Sequence, residues 1–173
     1  GMDRMQAALQ GAREVGFTQV SPSHLASPLI KLVSRGDTAV ADAYLSPVLR
    51  RYVDQVRDEL GADRGGCRRL QFMQSNGGLI DAALFQGKDS ILSGPAASLV
   101  GAAHLTGVSD AIISDIGGTT TDIAVLRDGV PIVSPDGATV GGHQTMVSAV
   151  AMHTHGLGGD SHVRHDERAA GAA

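Results

Sequence analysis

Asp115-Ile116-Gly117-Gly118-Thr119-Thr120-Thr121-Asp122 is the stretch on which the reading of this chain turns. An apolar run, Ala111 to Ser114, leads into it, and a second, Ile123 to Leu126, leads out. Both are short enough for strands. The stretch therefore predicts a β-hairpin whose turn holds an acidic residue, two glycines and three hydroxyls. Glycines let backbone N–H groups approach an anion closely, because no side chain blocks them. Threonine hydroxyls add donors for phosphate oxygens. Asp115, at the strand end, suits Mg²⁺ held through water, since that ion takes oxygen ligands and keeps much of its hydration. A Walker A loop would need Gly-Lys-Ser/Thr entering a helix, and a Rossmann fingerprint would need a helix after the glycines. Neither is present. Taken alone, the stretch reads equally well as an ordinary Gly turn with surface threonines.

Moving outward, Ser93-Gly94-Pro95-Ala96 opens a helix that runs to about Leu105, with Ser93 as cap and Pro95 in the first turn. It is built of Ala, Gly, Leu and Val, which suits close packing on the strand Ala111 to Ser114. The start of this helix could face an anion or simply be capped. Ser75-Asn76-Gly77-Gly78 is a turn between the runs Leu70 to Met73 and Leu79 to Leu84, and it could also touch a ligand. A long helix is expected from Thr38 to Leu60, kinked or restarted at Pro47. Val40, Tyr44, Leu45, Val48, Leu49, Tyr52, Val53, Val56 and Leu60 form its apolar stripe, with Arg50, Arg51, Asp54, Arg57, Asp58 and Glu59 on the wet side. Met5 to Val15 has helical spacing and ends at Gly16, after which Phe17 to Val20 could enter a strand. Asp128-Gly129 is a hairpin turn, and Val130 to Val133 returns. Gly1 before Met2 reads as a tag remnant.

Composition removes whole classes of function. The chain has 173 residues, room for one compact domain, and a net charge of −4. No basic stripe appears, so nucleic-acid binding by counterion release is not expected. Aromatics are 3% and Trp is absent, which argues against base stacking. A single cysteine, Cys67, permits neither an internal disulfide nor a zinc-type Cys pair, and points to a reducing compartment, the cytoplasm. Cys67 beside Arg68 and Arg69 reads as an incidental exposed thiol. No apolar run is long enough to span a membrane, and no signal peptide opens the chain.

The segment from Val140 to His165 is rich in glycine and histidine. His153 and His155 would share one face of a strand, and His162, His165, Asp160 and Asp166 lie close by in sequence. Imidazoles with carboxylates suit Zn²⁺ or Mn²⁺. The alternative is a polar segment whose histidines make ordinary hydrogen bonds, and the lack of a helical His pair or Cys pair favours it.

With these motifs in view, the chain resembles the hydantoinase A and 5-oxoprolinase family, within the actin/sugar-kinase/Hsp70 ATPase superfamily. The resemblance rests on Thr38 to Tyr52 (TAVADAYLSPVLRRY), Gln74 to Leu79 (QSNGGL) with Ser93 to Ala103 (SGPAASLVGAA), Asp115 to Val125 (DIGGTTTDIAV) and His153 to Ser161 (HTHGLGGDS), in that order. A sugar kinase fits the blocks at Ser93 and Gly156 less well. The resemblance implies an α/β fold, a ribonuclease-H-like half of an actin-like ATPase with a mixed sheet and flanking helices over residues 1–168; residues 169–173 carry no signal and read as a frayed tail. It implies ATP-dependent hydrolysis of a cyclic amide, with ATP and Mg²⁺ as cofactors, and related members act in ketone carboxylation. Residues implied in the site are Asp115, Gly117, Gly118, Thr119, Thr120 and Thr121, with Gly158, Gly159, Asp160 and Ser161 from the last block. The superfamily carries two such hairpins, whereas this chain carries one. The chain is therefore expected to be partial and inactive alone, dependent on another subunit or on further parts of its parent, and prone to self-association. A non-catalytic nucleotide-binding or assembly module is the alternative.

Overall fold

The structure, a computed structural model, describes residues 4–162. Among the described residues, four helices and eight short strands follow one another. Helix α1, Arg4–Glu14, contributes no buried residue and ends where Gly16 takes a positive φ of 103°. The segment expected to enter a strand after it, Phe17 to Val20, forms none, and the chain passes instead into the single turn α2, Ser23–Ala26.

Helix α3, Leu32–Glu59, is the longest element. It starts before Thr38 and continues through Pro47 without restarting. Pro47 is exposed, so water can reach the carbonyl that its missing N–H would have bonded. The orientation of the helix corrects the expected apolar stripe. Thr38, Asp42 and Ser46 are buried, at 0%, 6% and 7% exposure, whereas Val40 and Tyr44 are 70% and 79% exposed and Val48 and Tyr52 each 57%. The polar row wins the inside because other segments of the chain present backbone groups to it. Thr38 Oγ1 accepts the Met146 N–H at 2.7 Å, Asp42 accepts the Lys88 N–H at 3.1 Å, and Ser46 Oγ accepts the Gly87 N–H at 3.0 Å. Buried N–H groups must find acceptors, and small polar side chains supply them without adding bulk. Arg50 extends the row by donating to the carbonyls of Ala82 and Phe85, so it is half-buried and not on the wet side. Arg57 is likewise half-buried, while Arg51, Asp54, Asp58 and Glu59 are exposed as expected. The C-terminal half of α3 meets a cluster of apolar partners. Val53 packs with Ala82 and Phe85, flanked by Leu49, Leu70, Phe72 and Ile80, and the Phe72 and Phe85 rings stack at 5.2 Å.

Strands β1, Gln71–Met73, and β2, Leu79–Asp81, form an antiparallel hairpin. Its turn, Ser75 to Gly78, is structural. Gly77 has φ 86°, and the Gly78 N–H donates to Asn76 Oδ1 at 2.9 Å. Ser75 is fully buried and donates its N–H and hydroxyl to the Asp89 carbonyl, while its own oxygens accept from Leu92 and Val150.

Helix α4, Ser93–Thr106, follows. Leu92 and not Ser93 takes the N-cap position, and the Ser93 hydroxyl turns back to donate to the Ser90 carbonyl. Pro95 stands in the first turn, and Gly107, in the left-handed region, closes the helix by bonding back to Ala103. Strands β3, Ala111–Ile116, and β4, Thr121–Arg127, pair in register from Ala111 opposite Leu126 to Ile116 opposite Thr121. Asp128 and Gly129, both at positive φ, turn β4 into β5, Val130–Pro131. A small hairpin, β6 (Thr139–Val140) and β7 (His143–Gln144), leads to β8, Met152–His155, which pairs with β4. Every strand pairing among the described residues is antiparallel.

The sheet's inner face packs on α4 as the small-residue helix implied. Ala96 and Leu99 of α4 meet Ala124 and Val150, with Met73, Ile113 and Met152 around them. The outer face is bare: Ile112 is 75% and Ile116 67% exposed, and Ile123 and Val125 each 38%.

Candidate functional site

The register of β3 and β4 decides what the motif can do. Asp115 stands directly opposite Asp122, and Thr154 of β8 lies opposite Asp122 on the other side. Side chains alternate across a strand, so all three point to the α4 face, in one row beyond Ile113, Ala124 and Met152. The Ser98 hydroxyl of α4 donates to Asp115 Oδ2 at 2.5 Å, and the Thr154 hydroxyl donates to Asp122 Oδ1 at 2.6 Å. Two carboxylates facing each other across a non-parallel pair repel. Here each is held by a single neutral hydroxyl. Such a pair gains stability from a cation, and its all-oxygen donors suit Mg²⁺ better than a softer metal. Ser98 and Thr154 were not legible as site residues from sequence. Asp122 was within the motif, but only the register brings it to Asp115.

The turn beyond this row is exposed from Gly117 to Thr120. Its candidate donors divide into two groups. The Gly117 N–H closes the turn on the Thr120 carbonyl at 2.9 Å, and the Thr121 hydroxyl donates to the Leu157 carbonyl at 2.5 Å. Among the described residues, no hydrogen bond engages the N–H groups of Gly118, Thr119 or Thr120, or the hydroxyls of Thr119 and Thr120. These donors are clustered and free.

The last sequence block folds against the same turn. The N–H groups of Gly159 and Asp160 donate to the carbonyls of Gly117 and Gly118 at 2.9 and 2.8 Å. Ser161 closes its own turn, since Gly158 N–H donates to its Oγ at 3.0 Å and its N–H donates to the Gly158 carbonyl at 2.9 Å. The approach is so close that a Cβ on Gly158 would stand 2.5 Å from the Gly118 carbonyl oxygen and 2.6 Å from the Thr119 nitrogen. A Cβ on Gly118 would stand 3.2 Å from Asp160 Oδ2. By holding two carbonyls of the turn, the block leaves its N–H side outward.

His153 and His155 lie on the opposite face of β8 from Thr154, their rings 6.4 Å apart. The sheet thus separates them from the carboxylate row. Among the described residues no group of three or more His, Cys, Asp or Glu could hold a metal ion. His165 and Asp166, and the tail 169–173, lie outside the described residues. Cys67 is half-buried, with its thiol on the Arg69 carbonyl at 3.3 Å. No helix among the described residues is long and apolar enough to cross a membrane.

Comparison with known proteins gives this geometry its context. The sequence pattern of the hydantoinase/oxoprolinase family matches residues 35–171. The chain belongs to the hydantoinase/oxoprolinase family. It is 42% identical to the 5-oxoprolinase of Saccharomyces cerevisiae over 122 residues, 68% of this chain and 9% of that one. It is 32% identical to the caprolactamase subunit alpha of Pseudomonas jessenii over 147 residues, 82% of this chain and 21% of that one. Among solved structures, a nucleotide-free acetone carboxylase superposes on 93% of this chain and 23% of its own, with a TM-score of 0.73 and 25% identity. The α/β architecture is therefore that of part of an actin-like ATPase, and the chain spans well under two thirds of the length of each of these relatives.

Proposed function

We propose that this chain supplies one phosphate-binding hairpin to an ATP-dependent enzyme that hydrolyses a small cyclic amide. The observation that carries this reading is the opposed pair Asp115 and Asp122 beside the free N–H groups of Gly118, Thr119 and Thr120. An acidic pair for a cation next to a cluster of anion-binding donors is what a metal–nucleotide ligand needs. Asp115 and Asp122 would hold Mg²⁺, which neutralises phosphate charge when bound. The turn would receive phosphate oxygens through Gly118 to Thr120, with the Thr119 and Thr120 hydroxyls as further donors. Gly117 and Thr121 shape the turn, and Gly158 to Ser161 fix it from behind. Phosphoryl transfer depends on positioning and charge stabilisation more than on covalent help from the protein. Phosphorylation of the amide oxygen would turn a stable amide into one that water can open.

In this reading residues 1–168 are one ATPase-type unit working in the cytoplasm. The second hairpin and most of the substrate pocket come from further parts of its parent or from another subunit, and the isolated chain is inactive. The bare outer face of β3 and β4 and the exposed row of α3 are where such parts would cover it. A second reading, ATP-dependent carboxylation of a ketone, is favoured by the superposition on acetone carboxylase and by 30% identity to the acetophenone carboxylase gamma subunit of Aromatoleum aromaticum. Both readings require the same hairpin. Calorimetry of Mg²⁺-ATP binding to this chain and to Asp115→Ala tests it. Binding that weakens about tenfold or more in the variant is expected, given the strength of charged contacts. Equal binding by the two proteins would remove Asp115 from the site.

A further inference from the structure

A cavity of about 430 Å³ lies away from the hairpin, between the 19–26 segment, α3 and the 83–86 turn. Its volume is in the range of small-molecule sites. Gln19, Leu25, Asp42, Arg50, Leu84 and Gln86 line it. Two of these carry opposite charges that are not paired with each other. Asp42 is 6% exposed, yet only neutral groups hold it: the Ser21 hydroxyl at 2.6 Å, and the Ser46 hydroxyl and Lys88 N–H each at 3.1 Å. Arg50 is fixed by the Ala82 and Phe85 carbonyls, and no carboxylate of the described residues pairs with it. A carboxylate has room for about four hydrogen bonds and a guanidinium donates five, so each keeps unused capacity. A charge withdrawn from water without a counter-ion is costly. Asp42 is such a charge and Arg50 is half-buried; both are oriented by neutral contacts and line one cavity, which sets them up for a ligand that brings both counter-charges. Residues 42 and 50 share one face of α3, about 12 Å apart along its axis. A ligand whose charges are separated by a spacer fits two anchors set about two helical turns apart, and Leu25 and Leu84 line the same cavity.

We propose that this cavity binds a small amino carboxylate with a spacer between its charges, the ammonium at Asp42 and the carboxylate at Arg50. The identity of that ligand rests on the function proposed above. When water opens a cyclic amide, the C–N bond breaks, the water oxygen joins the carbonyl carbon, and one molecule carries a carboxylate and an ammonium. The ring-opened product has the charge pattern of the cavity, so the site retains or releases product.

The test is calorimetric titration of the chain with 6-aminohexanoate, glycine, hexanoate and hexylamine. The long-spacer zwitterion should bind about tenfold or more tightly than the other three, given what a charged hydrogen bond contributes. Arg50→Gln should bring 6-aminohexanoate down to the affinity of hexylamine, and Asp42→Asn down to that of hexanoate. Both side chains also hold the fold, so Ala83→Trp serves as the second variant. Ala83 is exposed on the cavity rim, and an indole there should block binding while the circular dichroism spectrum and melting temperature stay unchanged. Equal binding of all four compounds, no binding of 6-aminohexanoate, or unimpaired binding by Ala83→Trp would each overturn the proposal. The same titrations with Asp115→Ala separate the two readings. Zwitterion binding that survives while Mg²⁺-ATP binding fails in both proteins leaves the cavity site standing and sinks the ATP-dependent reading. Mg²⁺-ATP binding without zwitterion binding does the reverse.

Discussion

In the sheet of β3, β4 and β8, the inward row Ile113, Ala124 and Met152 is apolar and meets the helix that covers it, whereas the N-terminal half of α3 turns a polar row inward and an apolar row to solvent. The sheet's inner face, Ile113, Ala124 and Met152, was set by strand alternation against a small-residue helix. On α3 two rows at four-residue spacing compete: Thr38, Asp42, Ser46 and Arg50, or Val40, Tyr44, Val48 and Tyr52. Apolar periodicity points to the second row as the inner one. What ranks them is the material that packs alongside. Neighbouring chain segments offer N–H groups and carbonyls, so the polar row is buried. A helix face is thus a statement about its neighbours, while a glycine block is a statement about itself.

The sharpest way to break that contrast lies in the glycine block. Gly158→Val should destabilise the chain by about 3 kcal/mol or more, because the new side chain overlaps backbone that has no room to yield. Thermal unfolding would report it, and Mg²⁺-ATP affinity should fall with it as the turn is displaced. A melting temperature like that of the native protein would mean that the 117–120 turn and the 158–161 turn do not press together as described.

Next in size is the polar row. Thr38→Val should cost about 1–3 kcal/mol, since the Met146 N–H loses its acceptor in a fully buried place. Thr38→Ser keeps the oxygen and should recover most of the loss. Chemical denaturation of the three proteins checks both. If Val is tolerated as well as Thr, hydrogen bonding is not what turns this face inward.

The hairpin, its turn, the Asp128-Gly129 reversal and the helix packed behind them were legible because each depends on residues a few positions apart. The pairing of Asp115 with Asp122, and its consequence for a cation, needed the register. Ser98 and Thr154 were not legible. They reach the carboxylates from another helix and another strand, and nothing in their immediate sequence marks them. The inward face of α3 was misjudged for the same physical reason, since Met146 and Lys88 lie 108 and 46 positions beyond their partners Thr38 and Asp42.

The carboxylate pair gives a smaller effect with an opposite sign. Without metal, Asp122→Asn should raise stability by about 0.2–1 kcal/mol, because it relieves like charge directly across the hairpin and an amide oxygen can still accept from Thr154. Added Mg²⁺ should stabilise the native protein and not the variant. Denaturation with and without Mg²⁺ reads both signs. Loss of stability in the metal-free variant would show that the pair is already compensated within the protein.

The smallest expected effect is at Tyr44. In a chain where this ring faces water, Tyr44→Ser should change stability by no more than about 0.5 kcal/mol, as surface substitutions do. The measurement is made across a range of protein concentrations, because a row of exposed valine and tyrosine side chains is also a surface on which copies of the chain can associate. If the native protein melts higher as concentration rises and Tyr44→Ser does not, the row is covered by association, since binding to the folded form alone stabilises by mass action. If both melt alike at every concentration, solvent covers this row in the isolated chain. The difference between the two rows of α3 then comes entirely from the loops that Thr38, Asp42, Ser46 and Arg50 hold in place.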